Sequence, residues 1–227
     1  MIVYGKQIFY YLLKHHPERI KRVYLAKQVD PKLYNKLKEL GVEIVRCDNK
    51  KAQALARGGN HQGFLIEIED FEFAQLHDLK DGRFLVLLYG VTDVGNIGSI
   101  VRTAYALGAD GLVVTGLKEL RMEGVIRTSS GAALDLPIAL RPNLFEVLKE
   151  LQDVEFRVYG ADMSGEDVRK KRFEGKRAIL LGSEGEGIPH KALQRCDGVL
   201  KIEMVRDFDS LNVSAAAAIF IDRMRDE

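Results

Sequence analysis

The chain has 227 residues, 46% hydrophobic and 30% charged, with a net charge of +1, an ordinary globular balance for one large domain or two small ones. No run approaches the 18 apolar residues of a membrane span, and the opening Met1-Ile2-Val3-Tyr4-Gly5-Lys6 lacks the apolar core of a signal peptide. Cys47 and Cys196 stand far apart, as in a reducing, cytoplasmic setting, and the scattered histidines form no His-x-x-x-His, so no metal site is expected.

In chain order, apolar positions between Lys6 and Lys14 predict a helix, Arg22–Leu25 a strand, and Leu33–Leu40 an amphipathic helix ended by Gly41. Val42–Val45 reads as a strand, Lys50–Arg57 as a helix broken by Gly58-Gly59, and Gly63–Ile68 as a strand. That gives a small α/β domain over 1–70. Residues 71–82, acidic and weakly periodic, read as a linker. Phe84–Leu88 is a continuous apolar run, the pattern of a strand covered on both faces of a parallel sheet, and it opens a second α/β domain over 83–227. Further strands are expected at 111–115, 156–160, 178–181 and 199–202, with helices at 97–107, 144–151, 189–194 and 211–225.

Charge is divided between the parts. Residues 1–70 carry 13 Lys and Arg against 8 Asp and Glu, and the remainder 21 against 25. A basic small domain beside a mildly acidic larger one fits phosphate binding in the first, although solvated helix faces explain the same numbers. The densest basic run, Arg169-Lys170-Lys171-Arg172, reads equally as an exposed loop or a phosphate contact.

Three later segments carry the chemistry. Gly90 to Ala104 follows a buried strand and opens a helix, the usual ligand position of an open α/β sheet. It contains Asn96 and Arg102 but no G-x-G-x-x-G. Leu181-Gly182-Ser183-Glu184-Gly185-Glu186-Gly187 lacks a Walker lysine, and its carboxylates suit a ligand with positive charge or N–H and O–H donors. Ile202-x-Met204 leads to Ser210-Leu211-Asn212-Val213-Ser214 and an alanine-rich helix, with Ser210 or Asn212 as candidate caps.

In order and spacing, these segments resemble the three signature motifs of the SpoU (TrmH-like) 2′-O-ribose RNA methyltransferases of the SPOUT superfamily. Ser130-Gly131-Ala132 with Leu136-Pro137 is similar to a further stretch of that family. Tyr4-Gly5 and His61-Gln62-Gly63 resemble the substrate-binding domain of its large-subunit rRNA guanosine enzymes. Val94 departs from the proline common after the aspartate.

The resemblance implies an L30e-like N-terminal domain and a knotted (deep trefoil) catalytic domain with a mostly parallel sheet. It implies a homodimer and S-adenosylmethionine as cofactor, bound by Leu181, Gly182, Ile202, Met204, Leu211 and Asn212. It assigns Arg102 the activating role, with Asn96, Glu184, Ser210 and Asn212 as partners in catalysis and no metal. Lys6, Lys14, Arg19, Lys21 and Arg22 are the expected RNA contacts. The implied reaction is 2′-O-methylation of a guanosine in the peptidyl-transferase region of 23S rRNA. A tRNA ribose substrate, or a non-catalytic RNA-binding assembly factor, are the alternatives.

Overall fold

The computed structural model describes residues 1–206 and 210–225, which form two compact units. The first comprises Met1–Glu72 with Met122–Gly131, the second Phe73–Arg121 with the chain from Ala132 onward. In the first unit, β1 (Ile2–Tyr4), β2 (Ile20–Leu25), β3 (Glu43–Arg46) and β4 (Phe64–Ile68) form a sheet in the order β1-β4-β2-β3. Only β2 and β3 pair in parallel. Three helices connect the strands: α1 (Lys6–His15), α2 (Pro31–Glu39) and α3 (Asn49–Leu55). α1 buries Ile8, Phe9, Leu12 and Leu13, one face at helical spacing. α2 and α3 begin where Asp30 and Asp48 accept the otherwise unpaired amides of Lys32 and Lys51, each at 2.7 Å.

The second unit holds β5 (Phe84–Tyr89), α4 (Val94–Ala106) and β6 (Gly111–Thr115). The chain next contributes α5 (Met122–Thr128) to the first unit, where it packs on β1. There the Arg127 guanidinium lies over the Tyr4 ring, 5.3 Å from its centroid. The second unit resumes with β7 (Ile138–Arg141), α6 (Leu144–Gln152), β8 (Arg157–Asp167), β9 (Arg177–Gly182), α7 (His190–Leu193), β10 (Gly198–Lys201) and α8 (Val213–Met224). Its six strands lie in the order β10-β8-β9-β5-β6-β7, every neighbouring pair parallel, as the uninterrupted apolar run of β5 leads one to expect.

Two stretches differ from the sequence reading. β8 does not stop near Gly160 but continues to Asp167, because β10 pairs with it on both sides of a register shift between Val199 and Leu200. Gly165 permits the close approach: a Cβ there would sit 2.5 Å from the Val199 carbonyl carbon. Within the stretch expected as a linker, Leu76 and Leu79 form part of the second unit's core, on a short 3-10 turn.

A buried guanidinium anchors the far end of α8. Arg177 donates from Nε to the Met224 carbonyl and from Nη1 to that of Gly175, and lies over Phe84. Among the described residues no helix is long and apolar enough to cross a membrane. Among the same residues, no group of three or more His, Cys, Asp or Glu is placed to hold a metal.

Candidate active site

Parallel sheets bind ligands beyond the carboxyl ends of their strands, where loops lead into helices. Three such ends build this site. After β5, Asp93 caps α4 by accepting the Asn96 amide at 2.7 Å, which sets Asn96 on the helix's first turn. After β9, the chain folds back at once, with Ser183 bridging to Gly187, itself at φ 63°. A Cβ on Gly182 would stand 2.2 Å from the Gly187 carbonyl carbon, so this loop requires glycine at 182. After β10, the chain runs past Ile202 and Met204 to Ser210, Leu211 and Asn212. Asp209, just before that motif, lies outside the described residues.

Asn212 does two jobs. Its Oδ1 accepts the Ser214 amide at 3.0 Å and the Ser214 hydroxyl at 2.6 Å, capping α8. That orientation leaves Nδ2 to donate to Glu184 Oε1 at 2.6 Å and to Asn96 Oδ1 at 3.1 Å. Glu184 Oε1 also accepts the Val213 amide at 3.3 Å, so a carboxylate sits at the N-terminus of α8, where the helix dipole favours it. Asn96, Glu184 and Asn212, up to 116 residues apart in sequence, therefore form one hydrogen-bonded set.

Beside this set lies a cleft of about 780 Å³, counting its open mouth. Of the expected cofactor residues, Leu181, Gly182, Ile202, Met204 and Leu211 line it, as do Glu184 and Ser210; Asn212 stands next to it. The walls are largely apolar, with Phe220 and Ala216 of α8 contributing. Among the described residues its charged groups are Asp162, Glu184 and Lys201, and the lysine already meets Glu203 at 2.9 Å. A pocket of apolar walls with two carboxylates fits a flat aromatic group joined to a cation.

Sequence reasoning missed Ala161, Asp162, Met163, Ala216 and Phe220. The first three lie on β8 past the point where its apolar run ends. The carboxyl end of that strand was itself a signal, since it is the edge where ligands bind.

Arg102 lies about 1.7 turns beyond Asn96 on α4. It is exposed, on the stripe of Gly95, Gly98 and Ser99, and does not line the cleft. Of the expected RNA contacts, Lys6 and Lys14 are exposed on α1, Arg19 is half-buried, and Lys21 lies 3.8 Å from Glu69. Arg22 is held by Glu43 at 2.7 Å and Glu67 at 3.0 Å, and the bonds to Glu43 and Tyr24 push its pKa upward. Its charge is thus matched by two carboxylates within the sheet. In the basic run, Arg169 grips the buried Asp167 at 2.7 Å and holds that carboxyl down to about 2.

The SpoU rRNA methylase family model matches residues 83–222, and that for RNA 2′-O ribose methyltransferase substrate binding matches residues 2–74. An uncharacterized tRNA/rRNA methyltransferase of Archaeoglobus fulgidus is 32% identical over 207 residues, 89% of each chain. The 23S rRNA (guanosine-2′-O-)-methyltransferase RlmB of Ralstonia nicotianae is also 32% identical, over 91% of this chain and 88% of its own. Among solved structures, the SpoU methyltransferase AviRb from Streptomyces viridochromogenes, in complex with AdoMet, aligns with a TM-score of 0.80 at 24% identity, covering 98% of this chain and 88% of that one.

Proposed function

The chain belongs to the SpoU rRNA methylase family and is an S-adenosylmethionine-dependent RNA methyltransferase; from that premise we propose that it methylates the ribose 2′-oxygen of a guanosine in the peptidyl-transferase region of 23S rRNA. The observation that carries the reading is the Asn96–Glu184–Asn212 set at the rim of an apolar cleft bearing carboxylates. The guanosine target rests on relatives named for that activity, one of which spans nearly the whole chain.

S-adenosylmethionine supplies a methyl group on a cationic sulfur. Toward it, this chain presents Leu181, Ile202, Met204, Leu211 and Phe220 as apolar walls, while Glu184 and Asp162 offer negative charge. The acceptor hydroxyl is a weak acid and must be polarised as it attacks. Arginine stays protonated at neutral pH, so Arg102 acts as a fixed cation stabilising the developing alkoxide rather than as a base. Asn96, Glu184, Ser210 and Asn212 orient Arg102, the RNA or the methionine end of the cofactor, a positioning task that governs much of the barrier in a displacement of this kind. The reading includes a deep trefoil knot in the catalytic unit, a cytoplasmic setting and a homodimer. The dimer is supported by Tyr105 and Ile219, exposed on the mutually packed helices α4 and α8.

The test is transfer of labelled methyl to unmodified 23S rRNA and to unmodified tRNA, followed by mapping of the labelled nucleoside. A single 2′-O-methylguanosine in the peptidyl-transferase region is expected. Label confined to tRNA overturns the rRNA assignment. Arg102→Ala should abolish transfer while calorimetric binding of S-adenosylmethionine persists, and near-normal turnover would remove Arg102 from the mechanism.

A further inference from the structure

α1 carries Lys6, Tyr10 and Lys14 at successive four-residue steps, so the three side chains form one stripe along the helix. All three are exposed, and Tyr10 retains 44% of its surface, unusual for a ring on a helix whose other face is fully buried. The ring is also held. It meets Phe9 edge-to-face at 5.3 Å and Phe64 at 6.1 Å, and those two rings stack on each other at 4.5 Å. A third cation completes the surround: the Lys27 ammonium sits 4.6 Å from the Phe64 centroid. Its stem runs over Gly63, where a Cβ would come within 2.6 Å of it, so the missing side chain makes room for the lysine. The start of α1 is fixed as well, since the Lys6 amide donates at 3.0 Å to the side chain of Gln62, a residue at φ 53°.

An exposed, buttressed ring among three lysines matches a nucleic-acid strand, whose bases offer flat faces and whose phosphates offer negative charge. We propose that Tyr10 is a stacking platform for an unpaired base of the RNA substrate, with Lys6, Lys14 and Lys27 holding the flanking phosphates. This rests on the RNA reading above and adds to it a preference for a looped or single-stranded segment. A duplex keeps its bases stacked inside and gives Tyr10 nothing to receive.

The test uses the full chain with a single-stranded RNA oligonucleotide carrying 2-aminopurine, whose fluorescence falls when the base stacks. The wild-type protein should quench it. Tyr10→Ala should abolish quenching and weaken binding by about 5- to 160-fold, the range for loss of one stacked base. Tyr10→Phe should retain both. The slope of affinity against salt should be unchanged in Tyr10→Ala but shallower by about 0.7 for each of Lys6→Gln and Lys14→Gln. Unchanged quenching in Tyr10→Ala, or a Tyr10→Phe as weak as Tyr10→Ala, overturns the proposal. So does a Tyr10→Ala chain whose only change is its oligomeric state, which would mean that a second copy covers the ring. The methyl-transfer assay separates the two levels. An enzyme that methylates rRNA without quenching loses the stacking site alone; one that quenches but transfers no methyl group loses the substrate assignment.

Discussion

Asn212 is both the cap of α8 and the donor joining Glu184 to Asn96, and two substitutions take these roles apart. Asn212→Ala removes both. Loss of an N-cap costs about 1 kcal/mol, which for a protein of this size corresponds to a fall in Tm of roughly 2–4 °C. Asn212→Asp keeps an oxygen for the Ser214 amide, and aspartate caps as well as asparagine, so the part of the melting temperature owed to the cap should survive. It replaces the Nδ2 donor, however, with an oxygen facing the Glu184 carboxylate across a present separation of 2.6 Å. Two like charges at that distance repel, and the Asn96–Glu184–Asn212 set comes apart. A displacement of about 1 Å at such a site costs on the order of 100-fold in rate. The assay pairs thermal melting with kcat for methyl transfer at saturating RNA. Asn212→Asp should be slow but keep the cap's share of stability; Asn212→Ala should be slow and lose that share. If Asn212→Asp retains wild-type kcat, the hydrogen bonds to Glu184 and Asn96 have no part in catalysis and the cap alone explains the residue.

Two other outcomes follow from the same structure. Gly182→Ala drives a Cβ against the Gly187 carbonyl, an overpacking worth about 1–3 kcal/mol. The displaced 183–187 loop should weaken calorimetric binding of S-adenosylmethionine, and wild-type affinity would show that the loop is not a wall of the cofactor pocket. Burial, reinforced by the charge of Asp197, pushes the Cys196 thiol from 9.0 to about 11, so its thiolate is roughly 100-fold scarcer than an ordinary one. Iodoacetamide at pH 7.5 should label Cys196 slowly in the folded protein and rapidly after denaturation; equal rates would contradict that environment.

The legible parts of the sequence were those where local pattern and final environment agree. β5 announced itself through Phe84–Leu88 because a strand covered on both faces needs no polar alternation. Asn96, Glu184 and Asn212 were singled out because the motifs they stand in resemble those of the SpoU family, not because any local pattern marked them. That they would share hydrogen bonds was not legible, since the joining contacts span sequence separations no periodicity records. β8 beyond Gly160 reads Ala-Asp-Met-Ser-Gly-Glu-Asp, poor in β-formers, and is a strand only because β10 pairs with it. Nor was it legible that Glu43 and Glu67 flank Arg22 across two neighbouring strands. Asp162 was passed over for the same reason as the rest of late β8.

The assignment of α5 to the first unit has a practical consequence for anyone wishing to transplant that unit. A fragment cut after Glu72 would leave β1 without the helix that packs on it, and would part Tyr4 from Arg127. The first unit is thus discontinuous, and a chimera that keeps these contacts must splice in the Met122–Gly131 stretch from far downstream.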